Sequence, residues 1–362
     1  MVNGSKEELV KFLEEWRDAV QKIIDDIWPL DKVPTDGQLH QLYYKKLREH
    51  GFSSHHAKQI YKYAKALVKS AKANKGSKPQ LRKLSARLDK YDVRLDLANM
   101  VVQIRVKNNK FVTLKLLHNK DYVKKFLRKD WYEVMVKVDE KEDRIWVCIA
   151  FKFKYEPYVP KRLVSVDINK KLAVVYDGCS VRRVRTRFEE ADRLRDIAES
   201  IQKKHPYAWR TNPKYLNMLR ACHRRSRAIV EDWCWKFAKW LVTYAKKISA
   251  AVVIEKLEGL WHRVSQRGGE TARKLSRFAY RKFTNAVFTK CIEYNVPLIY
   301  VEPEDTSKTC PRCGAKLIYV HRLGVCLRCG FVGDRDRVAA MNILFRALYA
   351  IGTGKIKHGL PQ

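Results

Sequence analysis

Two groups of side chains in this sequence are of the right types and spacing to do chemistry. The first is Cys310-x2-Cys313, twelve residues, then Cys326-x2-Cys329. Two Cys-x2-Cys knuckles put four thiolates at the corners of a tetrahedron, the closed arrangement of structural zinc. Gly314 and Gly330 follow the second cysteine of each knuckle, where the backbone must turn tightly under the sulfurs. With four cysteines and no fifth ligand, one Zn²⁺ here is expected to be structural. The second group is three carboxylates in apolar surroundings. Asp167 lies inside Val164-Ser-Val-Asp-Ile168, Glu255 ends Val252-Val-Ile254, and Asp336 opens the helical run Arg337-Val-Ala-Ala-Met-Asn-Ile343. A lone charge in such places is costly, and singly each has an ordinary explanation in a basic partner or an N-cap. Hard cations such as Mg²⁺ are held by carboxylates on rigid elements. A pair of such ions ~3.5–4 Å apart is the usual device for phosphodiester hydrolysis.

The elements that must carry these residues are legible from periodicity. Leu9, Phe12, Leu13, Trp16, Val20, Ile23 and Ile24 recur at helical spacing from a Ser5-Lys-Glu-Glu start, and Ile60, Ala64, Leu67 and Ala71 do so again. Pro29 and Pro34 separate the first helix from the next, and 72–79 reads as a linker. From about 88 to 158 the pattern is that of four or more antiparallel strands, with Asn108-Asn109 as one hairpin tip and 139–143 as another, suggesting a small barrel or sandwich. Strands at 163–168 and 172–176, helices at 188–204 and 214–248, a strand at 250–254, a helix near 275–294, a strand at 297–301 and a last helix at 336–350 follow in α/β layered order. The tail from Gly352 reads as frayed.

Charge names the partner class. Among 362 residues, 75 Lys+Arg against 39 Asp+Glu leave +36, while 46% hydrophobic residues exclude wholesale disorder. Such a field persists where a polyanion neutralises it, which points to nucleic acid. No run of 18 apolar residues offers a membrane span and no cleavable signal opens the chain, so a cytoplasmic location and no membrane partner are expected. Nine cysteines, an odd number, argue against a disulfide framework, and Cys148, Cys179, Cys222, Cys234 and Cys291 read as small core hydrophobes. Lys58, Lys62, Lys65, Lys69 and Lys72 fall on one helix face and form a candidate phosphate-tracking stripe, as do Arg220, Arg224 and Arg227. Arg263 and Arg267, with Gly268-Gly269, form a basic, glycine-hinged loop after Glu255 that suits a lid.

Acids in the order Asp, Glu, Asp resemble the metal-binding set of RuvC-like, RNase H-fold nucleases. With Thr306-Ser-Lys-Thr-Cys-Pro-Arg-Cys-Gly314 and Cys329-Gly-Phe-Val-Gly-Asp-Arg-Asp-Arg-Val-Ala-Ala-Met-Asn-Ile343 added, 163–347 resembles the transposon-encoded TnpB family, relatives of the compact type V CRISPR effectors. The resemblance implies an RNA-guided, Mg²⁺-dependent DNA endonuclease with Asp167, Glu255 and Asp336 as its catalytic, two-metal set. Its implied partners are a guide RNA from the transposon end, double-stranded target DNA and the displaced single strand; it names no protein partner. It implies a multidomain α+β chain: a helical recognition domain at 1–78, a wedge-like antiparallel β-barrel at 79–160, a RuvC-like nuclease domain at 161–304 and 334–350, an inserted zinc ribbon at 305–333 and a flexible tail at 351–362. Val338 departs from the Asn-Ala-Ala with which the family's last helix commonly begins. Members also usually open with a barrel strand, so a start at Ser5 leaves the barrel a strand short. The alternative is a guided or unguided nucleic-acid-binding regulator, or a transposition accessory protein, without useful cleavage. An Asp-Asp-Glu transposase is disfavoured because the glutamate is the middle acid.

Overall fold

Helix α1 (Asn3–Ile27) owes its place to one apolar stripe: Leu9, Phe12, Leu13, Trp16, Val20, Ile23 and Ile24 are all buried. It begins before Ser5, not at a capping box there. Helices α2 (Asp36–Glu49) and α3 (Ser54–Ala73) do begin at capping boxes, Thr35 with Gln38 and Ser53 with His56. The computed structural model describes residues 3–139, 144–256 and 279–353, and the chain divides into two units, Met1–Phe153 and Lys154–Gln362.

In the first unit the helices are followed by β1 (Ser85–Asp89), β2 (Val93–Asp96), β3 (Val101–Lys107), β4 (Lys110–Lys115), the short α4 (Lys120–Lys124), β5 (Trp131–Asp139) and β6 (Arg144–Phe151). Asn108-Asn109 is the tip of the β3–β4 hairpin, with Asn109 at φ 60°. A closed barrel is not what these strands make. They form two three-stranded antiparallel sheets, β1-β5-β6 and β2-β3-β4. The physical reason is that α1 and α3 supply the missing wall: Leu88, Ile104, Val112 and Val134 bury in one core with Phe12, Trp16 and Ile60. A sheet face covered by helices has no need to curl onto itself.

The second unit is built on a five-stranded mixed sheet of order β11-β10-β7-β8-β9. Its strands are β7 (Arg162–Ile168), β8 (Leu172–Tyr176), β9 (Val181–Arg185), β10 (Ala250–Glu255) and β11 (Leu298–Val301). β7, β10 and β11 run parallel, and β8 and β9 return antiparallel beside β7. Helices α5 (Phe188–Lys204), α6 (Ala208–Thr211), α7 (Pro213–Lys247) and α8 (Tyr280–Tyr294) lie between strands in sequence. Alternation divides the sheet cleanly. Val164, Val166, Val252 and Ile254 pack with Trp233, Phe237, Leu241 and Phe283 of α7 and α8. Leu163, Val174, Ala251 and Val253 pack with Ala340, Ile343, Leu344 and Ala347 of the last helix, α9 (Arg335–Gly352). Between β11 and α9 a small antiparallel sheet, β12 (Ile318–Val320), β13 (Leu323–Val325) and β14 (Val332–Asp334), carries the cysteines.

Among the described residues no helix is long and apolar enough to cross a membrane. Only Cys234 and Cys291 of the five scattered cysteines are buried. Cys222 is half-buried, and Cys148 and Cys179 are exposed, the former because it alternates onto the outer side of an edge strand.

Candidate functional site

The two-faced sheet explains how acids 169 residues apart in sequence come together. On β7 the odd-numbered residues face α9, and on β10 they do so too. The parallel register Ile254↔Val166 makes Asp167 and Glu255 the next places on neighbouring strands, on that same side. Asp336 sits in the first turn of α9, and α9 is held down at this end by Ser165, whose buried hydroxyl donates to the Ala340 carbonyl at 2.6 Å. Asp167, Glu255 and Asp336 therefore line one open cleft of about 630 Å³, with Thr306, Arg322 and Asp334 beside them.

The electrostatics follow from that crowding. Burial, then the neighbouring Glu255 and Asp336 carboxylates, push the Asp167 carboxyl up to about 7. Burial also raises Glu255, against the pull of the Thr306 hydroxyl, which donates to its Oε1 at 2.7 Å. Asp336, 7% exposed, is met on Oδ2 by the Asn169 amide at 2.9 Å and by the Arg322 guanidinium. Asp334 is the true N-cap: its side chain accepts from the backbone N–H of Asp336 at 3.1 Å and of Arg337 at 3.4 Å. Asp336 is thus within the helix, not at its opening. Among the described residues only the four cysteines bring ligand atoms all within 4.8 Å of one another. The three carboxylates are spread more widely; they offer hard oxygen donors and a mutual repulsion at Asp167 that a cation would relieve.

Thr306, Asn169 and Arg322 carry no spacing signal of their own. Asn169 is legible only as a turn residue: its Oδ1 accepts from the N–H of Lys171 and Leu172, both at 2.9 Å.

The cysteines close as their spacing requires. The Cys310 and Cys329 sulfurs are 3.5 Å apart, as are those of Cys313 and Cys326, close to the ~3.8 Å edge of a tetrahedron with ~2.3 Å Zn–S bonds. Gly314 and Gly330 have φ of +73° and +69°, so their role in the knuckle turns is a left-handed backbone. The cluster is compatible with a zinc ribbon. Val338 is fully buried against Cys310, Cys326, Leu317 and Phe331, which gives this departure from the family's usual helix start a packing role: it joins α9 to the ribbon.

The basic stripes fare unevenly. Lys58, Lys62 and Lys69 of α3 are exposed, but Lys65 pairs with Asp36 at 2.6 Å and Lys72 lies over the Trp28 ring at 5.6 Å. Those two brace α3 against its neighbours. Arg220, Arg224 and Arg227 of α7 are exposed. Arg263, Arg267 and the glycine hinge lie outside the described residues.

Comparison with known proteins agrees with this picture. The Cas12f1-like TNB domain family matches residues 280–343. The TnpB-like protein MJ0751 of Methanocaldococcus jannaschii is 29% identical over 262 residues, covering 70% of this chain and 92% of that protein. The putative transposase MJ0856.1 of the same organism is 36% identical over 81 residues, 19% of this chain and 74% of that protein. Among solved structures, the Cas12f1 chain of a Cas12f1–sgRNA–target DNA complex superposes with a TM-score of 0.63 at 14% identity, covering 94% of this chain and 82% of that one, a likeness of fold. The chain belongs to the TnpB family and is related to the compact type V effectors.

Proposed function

We propose that the protein is an RNA-guided DNA endonuclease of an insertion-sequence element, cutting beside a short target-adjacent motif. Sequence choice comes from base pairing with the guide, while the protein reads backbone shape and the motif. The observation that carries the reading is the convergence of Asp167, Glu255 and Asp336 on one face of the five-stranded mixed sheet, in a cleft where burial, and then the Glu255 and Asp336 carboxylates, push Asp167 up to about 7. What a bound pair of Mg²⁺ ions supplies is activation of the attacking water and stabilisation of the leaving 3′ oxygen.

The chain's own residues divide the remaining work. Asp167 and Glu255, fixed by strand register, and Asp336, fixed by α9, hold the cations. Thr306 orients Glu255. The four cysteines hold a structural Zn²⁺ that shapes one wall of the cleft. Lys58, Lys62 and Lys69, with Arg220, Arg224 and Arg227, track phosphates of guide and target. In this reading 1–78 is the recognition region, 79–160 the wedge, 161–304 with 334–350 the nuclease, 305–333 the ribbon and 351–362 the tail. The location is cytosolic.

The test is guided cleavage of a plasmid by Asp167→Ala and Asp336→Ala in complex with the RNA that co-purifies. Loss of cutting with guided binding retained supports the reading; full cutting by both variants overturns it.

A further inference from the structure

The segment between β4 and β5 exposes aromatic rings that no part of the nuclease cleft uses. His118 and Tyr122 lie 4.9 Å apart, Tyr122 and Phe126 5.4 Å, and Phe126 stacks on Phe151 of β6 at 4.6 Å. Phe153 meets Phe126 edge-on at 6.3 Å. Tyr122 is 49% exposed and Phe153 36%. This ladder is edged by ammonium groups: Lys125 lies 4.1 Å from the Tyr122 ring and Lys129 5.2 Å from that of Phe153. An open cleft of about 760 Å³ runs alongside, lined by Lys90, Phe126, Lys129, Trp131 and Lys152. Lys120, Lys124, Lys125, Arg128 and Lys129 outnumber Asp121 and Asp130 in this stretch.

A protein-docking surface is depleted of lysine. Here lysines sit on the rings themselves, so a partner must offer both π-faces and negative charge, and unpaired nucleotides offer both. A duplex hides its faces and would meet only the lysines.

We propose that the ladder around Tyr122 and Phe126 is a stacking platform for an unpaired stretch of the guide RNA. The choice of RNA rests on the guided-nuclease reading, since a guide remains bound through the reaction whereas each DNA strand is transient. The platform lies within Met1–Phe153 and involves none of the three carboxylates.

Two measurements on the full, zinc-loaded chain test it, both without added Mg²⁺ and without a chelator. In the first, Tyr122→Leu, a change at an exposed ring, lowers affinity for a short oligouridine by about tenfold. Tyr122→Trp restores that affinity, and binding of an RNA duplex is unchanged. Equal binding by the Tyr122→Leu variant, or an equal loss for duplex and single strand, overturns the platform. In the second, Tyr122→p-benzoylphenylalanine is illuminated in the assembled complex. An adduct with RNA is expected, and an adduct with DNA alone, or none, overturns the assignment. Because neither measurement requires cleavage, an inactive triad leaves both decisive. A chain that retains no RNA but still shows the Tyr122 effect on oligouridine would sink the guide reading and the RNA assignment while identifying the stacking surface.

Discussion

The Arg322 guanidinium and Asp336 form an ion pair on the one carboxylate oxygen, Oδ2, that also accepts from Asn169. Arg322 is carried by the turn between β12 and β13 of the ribbon, and its Nε also lies 3.8 Å from Asp334. The ribbon therefore contributes a positive charge to the same cleft in which three carboxylates repel one another.

A cation and a guanidinium compete for one carboxylate. Arg322→Ala is expected to tighten Mn²⁺ binding by up to about fivefold, the ceiling for a largely exposed ion pair. Titration followed by electron paramagnetic resonance checks this, and weaker Mn²⁺ binding would show that Arg322 organises the site instead of screening it.

The two neighbouring aspartates should separate by what each variant loses. Asp336→Ala should abolish strand scission with little loss of guided binding. Asp334→Ala should keep most activity and cost about 1 kcal/mol as a lost N-cap, a fall of roughly 2–4 °C in Tm for a unit of this size. Differential scanning calorimetry beside a cleavage assay distinguishes the outcomes; a dead but fully stable Asp334→Ala protein contradicts the assignment.

A raised carboxyl ties metal affinity to pH. Asp167 moves from 3.8 to about 7, so across that interval the folded, metal-free chain holds a proton the unfolded chain has released. Its contribution to stability falls as pH climbs through the window. Divalent affinity should rise over the same interval and level off above about pH 7, because binding requires the ionised form. Asp336→Asn removes one of the repelling charges and should lower the inflection. Calorimetric Mg²⁺ titrations that are flat between roughly pH 5.5 and 8 would contradict this.

Zinc and the cleft should fail together. Cys313→Ser is expected to lose metal and melting temperature at once, since the binding energy of a structural site is folding energy. Because Val338 of α9 packs on the cysteines, Val338→Asn should destabilise the ribbon by about 1–3 kcal/mol through an unsatisfied buried amide and weaken zinc retention. Metal content by mass spectrometry after dialysis against a chelator measures both.

Much of this architecture is legible in the sequence, and the misses have physical reasons. Strict spacing exposes the cysteines, and an acid at the end of an apolar strand stands out because it is costly there. Strand β9, Val181-Arg-Arg-Val-Arg185, is an edge strand with three arginines, so its composition hides its pairing. The open sheets of the first unit look like a barrel because alternation reports a buried face without saying whether strands or helices cover it. Lys65 and Lys58 share a helix face, yet only a neighbouring helix decides that Lys65 meets Asp36. Asp336 was legible as an acid near a helix start; that Asp334 takes the cap depends on backbone geometry two residues earlier.

The hydroxyl of Ser165 reaches the carbonyl of Ala340, 175 residues downstream, and this has a consequence for biosynthesis. A ribosome adding ~5–20 residues per second releases β7 and β10 well before α9 exists. Until α9 docks, the cleft lacks both its third carboxylate and the helix that covers the α9-facing side of the sheet. An unfinished or prematurely terminated polypeptide thus carries two of the three acids without the element that assembles them. Under the proposed reading, the cell meets a working nuclease only once the message has been translated almost to the end of α9.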